Sequence, residues 1–189
     1  MSLVGASKQR EPIRTDRITA QGHHHFYATV EADSAEITGS CIMDNTALFK
    51  TLKSDGHLRV DRAEIDSLAV TGSINATHLT VKNMRVHGII QAQCLKVRYG
   101  QIIMKGICRI GRINSVTIEV SKGFALKKRL ICEEITGKTV VLIHTKANIV
   151  RGNDVFIGEH CEIETLFYQH QYTIAHTATV KQIVKETLQ

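Results

Sequence analysis

The sequence predicts an all-β fold: a single-stranded β-helix, or β-solenoid, with coils of about 16–18 residues. Three observations point to it. Glycines recur at Gly22, Gly39, Gly56, Gly72, Gly88 and Gly106, in steps of 17, 17, 16, 16 and 18 residues. The apolar residues around them alternate with polar ones, which is the two-residue period of a strand with one buried face. The apolar set is rich in Val and Ile, lacks Trp, and the chain has one proline, a composition that favours strands over helices. Fixed-period self-similarity is the signature of a solenoid.

Residues 1–18 are polar and contain Pro12, so they read as a disordered tail. Residues 19–184 read as the β-helix domain. Its clearest unit is Leu68, Val70, Gly72, Ile74, Ala76, Leu79, Val81, and the next is Met84, Val86, Gly88, Ile90, Ala92, Leu95, Val97, every member shifted by 16. The preceding unit, Leu52, Ser54, Gly56, Leu58, Val60, Ala63, Ile65, departs only at Ser54. Within a unit the step lengthens to three between Ala76 and Leu79, where the chain turns a corner with its apolar side still inward. A helix is excluded on the same data, because i, i+2 alternation would scatter the apolar residues around its surface. Sandwiches and barrels are disfavoured because Asp55-Gly56 is the one hairpin-type dipeptide present.

Beyond Gly106 the alternation loosens through Cys108, Ile110, Ile113, Val116, Ile118 and Val120. Residues 121–134 break it and carry the basic run Lys122, Lys127, Lys128 and Arg129, so they read as an irregular coil or an insertion. Strand-like pairs resume at Val141 and Ile143, Val155 and Ile157, Cys161 and Ile163, and Tyr172 and Ile174. Residues 185–189 read as a C-terminal tail; the closing KQIVKETLQ either completes the last coil or forms a short helix.

The formal charge of +6 is spread along the chain. It reads as a solvated basic face, with weak contacts to nucleic acid or an anionic membrane surface as a minor alternative. Cys41, Cys94, Cys108, Cys132 and Cys161 form no CxxC pair and are odd in number, as expected of free thiols in a reducing compartment. The opening residues lack the apolar core of a secretory signal, and no apolar stretch is long enough to span a membrane. The expected location is cytoplasmic.

The units GSINATHLTV (Gly72–Val81) and GIIQAQCLKV (Gly88–Val97) resemble the bactofilins, bacterial polymer-forming cytoskeletal proteins. TKANIVRGNDVFIGEHCEI (Thr145–Ile163) is similar to the C-terminal segment of the shorter cytoplasmic members. The resemblance covers roughly residues 20–180. It implies a right-handed, triangular β-helix that polymerises end to end without nucleotide and serves as a scaffold. The small residue found at Ala76 and Ala92 is replaced by Met43, Val60 and Ile110 in other units.

One coil cannot stand alone, and a terminal coil exposes an apolar layer and unpaired strand groups unless something caps it. No amphipathic capping helix is evident in the sequence. Self-assembly through the ends is therefore expected, with Phe26, Val30 and Ile37 as contacts at one end and Tyr168, Tyr172, Ile174 and Val180 at the other. The partner is the chain itself.

The rival reading is a hexapeptide-type acyltransferase on a trimeric β-solenoid, with His144, His160, His170 or His176 as general base. It is disfavoured because Ile157-Gly158 to Ile163 is the one convincing hexapeptide turn. His23, His24 and His25 read as surface residues, since at most two of them share a strand face. No phosphate-binding loop or nucleophile elbow is present. No enzyme activity, cofactor or metal is expected.

Overall fold

A computed structural model describes residues 1–123 and 128–187. It is all-β, 87% strand, and winds into a β-solenoid of about 11 turns with no helix among the described residues. The strands are β1 (Ser2–Gln9), β2 (Ile13–Phe26), β3 (Val30–Met104), β4 (Ile107–Lys122), β5 (Arg129–Leu142), β6 (Thr145–Ile157), β7 (Glu162–Ile174) and β8 (Thr179–Lys185). They form one sheet in chain order, and every pairing between them is parallel. That direction follows from the winding: a strand meets its neighbour only after a full circuit, so the chain always returns pointing the same way. β3 runs for 75 residues without a break in its strand geometry and takes in several coils.

The register gives the coil length. Ser2 pairs with Thr19 and Ile13 with Val30, 17 residues on, while Gln91 pairs with Arg109, 18 on. Between β4 and β5 the step grows to 22, Ile107 pairing with Arg129, and then contracts to 15, Leu130 pairing with Thr145. The basic segment is thus strand on both sides of a short insertion, and Lys127 lies outside the described residues.

Alternate residues of every coil point inward and stack in columns. Every non-glycine member of the two clearest repeat units is buried, from Leu68 to Val97. The glycine column has a steric cause. Gly72 has φ +118°, a left-handed conformation that side chains rarely tolerate. A Cβ at Gly88 would overlap the Gly72 carbonyl oxygen in the coil beneath. The column ends there: Gly106 meets the Ile89 side chain instead, and Lys105 donates its N–H to the Gly88 oxygen at 2.9 Å.

Several expectations are corrected. Residues 1–18 form a coil and not a disordered tail, with β1 laddered onto β2 and Pro12 in the corner between them. Their polarity reflects an end layer half open to water. Phe26, Val30 and Ile37 are consequently buried inside the solenoid, at 1–2% exposure, and form no end surface. His24 points inward at 3% exposure, because strand alternation places it on the face of Phe26. The strand-like pair Val141 and Ile143 lies in a strand whose Val140 and Leu142 face the core; a run of four apolar residues leaves the phase of a strand open. Cys132 joins Cys41, Cys108 and Cys161 as a buried thiol, and all five cysteines are free. At the other end β8 closes a last coil as strand through Lys185.

Candidate functional site: the coil ends and a histidine corner

The last coil continues the core columns with nothing above it among the described residues. Tyr172 pairs with Val155, Ile174 with Ile157, Val180 with Ile163 and Ile183 with Leu166. The lower partner of each pair is buried; Tyr172 and Ile183 are about 40% exposed, and Ile174 and Val180 are half-buried. A register shift between Gly152 and Asp154 puts one extra residue into β7. Tyr168 and Tyr172 flank that bulge and pack edge to face, ring centroids 4.6 Å apart. Arg151 fastens the layer down, lying 4.7 Å over the Phe167 ring and binding Glu186 at 3.0 Å. The sequence-expected contacts Tyr168, Tyr172, Ile174 and Val180 therefore share one end, joined by Ile183, whose spacing of 17 from Leu166 was the missed signal.

The opposite end is more polar. Its inward positions include Leu3, Ser7, Gln9, Ile13 and Thr15, paired with Ala20, His24, Phe26, Val30 and Ala32 of the next coil. Ser7 is hydrogen-bonded to His24 Nδ1 at 2.8 Å, and His24 Nε2 lies 3.0 Å from the Gln21 carbonyl. The buried imidazole is thereby satisfied at both nitrogens. His25 instead pairs with Asp44 at 2.6 Å and stacks on Tyr27, so the three consecutive histidines do not converge on one point.

Some basic residues of the solenoid wall pair with carboxylates one or two coils away. Lys122 pairs with Glu159 at 3.2 Å, Arg129 with Glu162 at 2.8 Å, Lys50 with Asp33 at 2.7 Å and Lys82 with Asp66 at 2.8 Å. A groove runs along the face from Arg14 to Val116, lined by the pairs Arg14–Glu31, Lys50–Asp33 and Lys82–Asp66 together with Lys96 and Arg98.

The four histidines considered as bases separate. His170 sits 3.7 Å from Asp154, and His176 is exposed on the last turn. His144 and His160 are brought together at matching corners of successive coils, with ring centroids 4.8 Å apart. His144 donates its N–H to the Glu159 carbonyl at 2.8 Å, and the His160 N–H approaches Thr177 Oγ1 at 3.4 Å. One side-chain donor atom each from His144, Glu159 and His160 lies within 4.8 Å of the other two. Partial burial, the facing His160 and the Lys122 and Lys128 ammoniums lower the His144 pKa, favouring the neutral ring. The Lys122 hydrogen bond and charge lower that of Glu159, favouring the carboxylate. The sequence showed these histidines without revealing that a 16-residue step would juxtapose them.

Fold and surface together define a parallel β-solenoid with one apolar end layer and one polar corner. No protein-family model matches the chain, and no solved structure matches it. It is similar to two proteins of Bacillus subtilis (strain 168). The uncharacterized protein YhbE is 45% identical over 56 residues, 30% of this chain and 24% of YhbE. The uncharacterized protein YhbF is 34% identical over 83 residues, 42% of this chain and 35% of YhbF. The chain thus matches about a quarter to a third of the length of these relatives.

Proposed function

We propose that this chain is a bactofilin-like structural protein that stacks end to end with copies of itself and acts as a scaffold. The carrying observation is the last coil. Tyr172, Ile174, Val180 and Ile183 stand in columns whose members one coil earlier are buried, so another coil placed on β8 would complete both the columns and the backbone ladder. Both are favourable: apolar area leaves water, and the edge strand finds partners for its free N–H and C=O groups. Repetition of such a contact, with one at the other end, produces a filament. Neither step needs nucleotide, consistent with the absence of a phosphate-binding loop from the sequence.

The test is negative-stain electron microscopy with sedimentation velocity on purified protein without nucleotide. Filaments or long ribbons are expected. Tyr172→Asp should reduce them to short species while the melting temperature stays within a few degrees, because Tyr172 is already 40% exposed within one copy and lies on its end layer. A persistent monomer at high concentration would overturn the proposal. A clean trimer would favour the acyltransferase reading in its place.

A further inference from the structure

We propose that the corner formed by His144, Glu159 and His160 is a binding site for a divalent transition metal of the zinc class. Two independent observations carry it. The first is convergence: two imidazoles and a carboxylate from successive coils bring donor atoms within 4.8 Å of one another, on a backbone tied by the 2.8 Å bond from His144 N–H to the Glu159 oxygen. The second is backbone conformation. Among the described residues, the non-glycine positions with positive φ are His144 and His160, at +50° and +54°. A corner that requires the left-handed region is filled at least cost by Gly, or by Asn. Both matched corners carry His, a residue enriched among the non-glycine residues that take this conformation, so the backbone sets the two imidazoles at the same point of successive coils.

The donor set selects the class of ion. Imidazole nitrogens suit zinc, copper and nickel, whereas calcium and magnesium require a cage of oxygens. Three protein donors leave a fourth coordination position to water. Metal–nitrogen bonds of about 2.0–2.1 Å require the three side chains to draw together from their present separation, a rotation that half-exposed and exposed groups can make. Lys122 is the built-in competitor, holding Glu159 at 3.2 Å. Metal binding must share or displace that ammonium, so removing it tightens the site.

The experiment is equilibrium dialysis of tag-free protein against zinc, with cobalt substitution followed by visible absorption. One equivalent bound, a cobalt spectrum showing nitrogen coordination and a zinc-dependent rise in melting temperature are expected. The His144→Asn, His160→Asn double variant keeps residues that accept positive φ, so it should fold with an unchanged circular dichroism spectrum and lose all three signals. Lys122→Gln should bind several-fold more tightly than the parent. No stoichiometric binding by the parent protein would overturn the proposal. Retention of full binding by the double variant would do the same, placing the metal away from this corner.

Discussion

Ser54 stands in the inward column between Ile37, 17 residues before it, and Val70, 16 after it. It is 4% exposed, and its hydroxyl has no hydrogen-bond partner among the described residues. A buried, unsatisfied hydroxyl is destabilising, and replacing it with an apolar side chain of the kind its column neighbours carry removes the penalty. Ser54→Val should therefore stabilise the protein by about 1–2 kcal/mol, read from the urea midpoint at unchanged m-value. A midpoint that does not move would mean the hydroxyl is satisfied by water. The thiols give a second handle at this scale. Burial pushes Cys41 and Cys132 up to about 12 from 9.0, and raises Cys108 and Cys161 as well. The folded state thus favours the neutral thiol. Its contribution is complete below pH 9 and is lost as pH rises from 9 towards 12, while unfolded chains ionise. The melting temperature should fall across that window, and less steeply in a Cys41→Ala, Cys132→Ala double variant. At pH 8, a thiol reagent should modify half-buried Cys94 alone in the native protein and all five cysteines after unfolding.

At the scale of one coil, the glycine column limits how closely successive turns approach. Gly88→Ala would drive a methyl group into the Gly72 carbonyl and force the two coils apart, a loss of about 3 kcal/mol or more. Gly106→Ala meets only the flexible end of Ile89 and should lose about 1 kcal/mol. Equal losses in the two variants, measured by urea unfolding, would show that the close approach at Gly88 has no consequence. The same column explains what was legible. From Leu52 to Val97 the coil length holds at 16, so inward residues and glycines align by inspection, and the structure buries each apolar member. The N-terminal coil was obscured because Ser7, Gln9 and Thr15 occupy inward positions. Gly5, 17 residues before Gly22, carried the signal. Past Gly106 the steps of 22 and then 15 moved every column, which concealed the inward direction of Cys132 and the phase of Val140 and Leu142. The end layer was partly visible as Tyr168, Tyr172, Ile174 and Val180. The histidine corner depends on a coil length that only the folded register reveals.

For the whole molecule, each ladder joins residues about a coil apart, so stability is shared between neighbouring coils. The two ends differ in polarity, and the more apolar β8 end should dominate association. Raising salt is expected to leave filaments intact, because the proposed contact is apolar and salt screens charge–charge interactions without weakening apolar burial. Salt-driven disassembly in sedimentation runs would instead locate the contact on the charged wall.

The 16-residue period shared by the inward positions of the units at Leu68 and Met84 makes length an adjustable quantity. Excising residues 68–83 would bring Met84 to the place of Leu68, leaving each later side chain on its own column. The rod would shorten by one strand spacing, about 4.8 Å, with both end surfaces intact. Tandem duplication of the same segment would lengthen it by that step. A gene for such a protein can therefore change the span of its product in whole-coil increments without a new folding problem to solve.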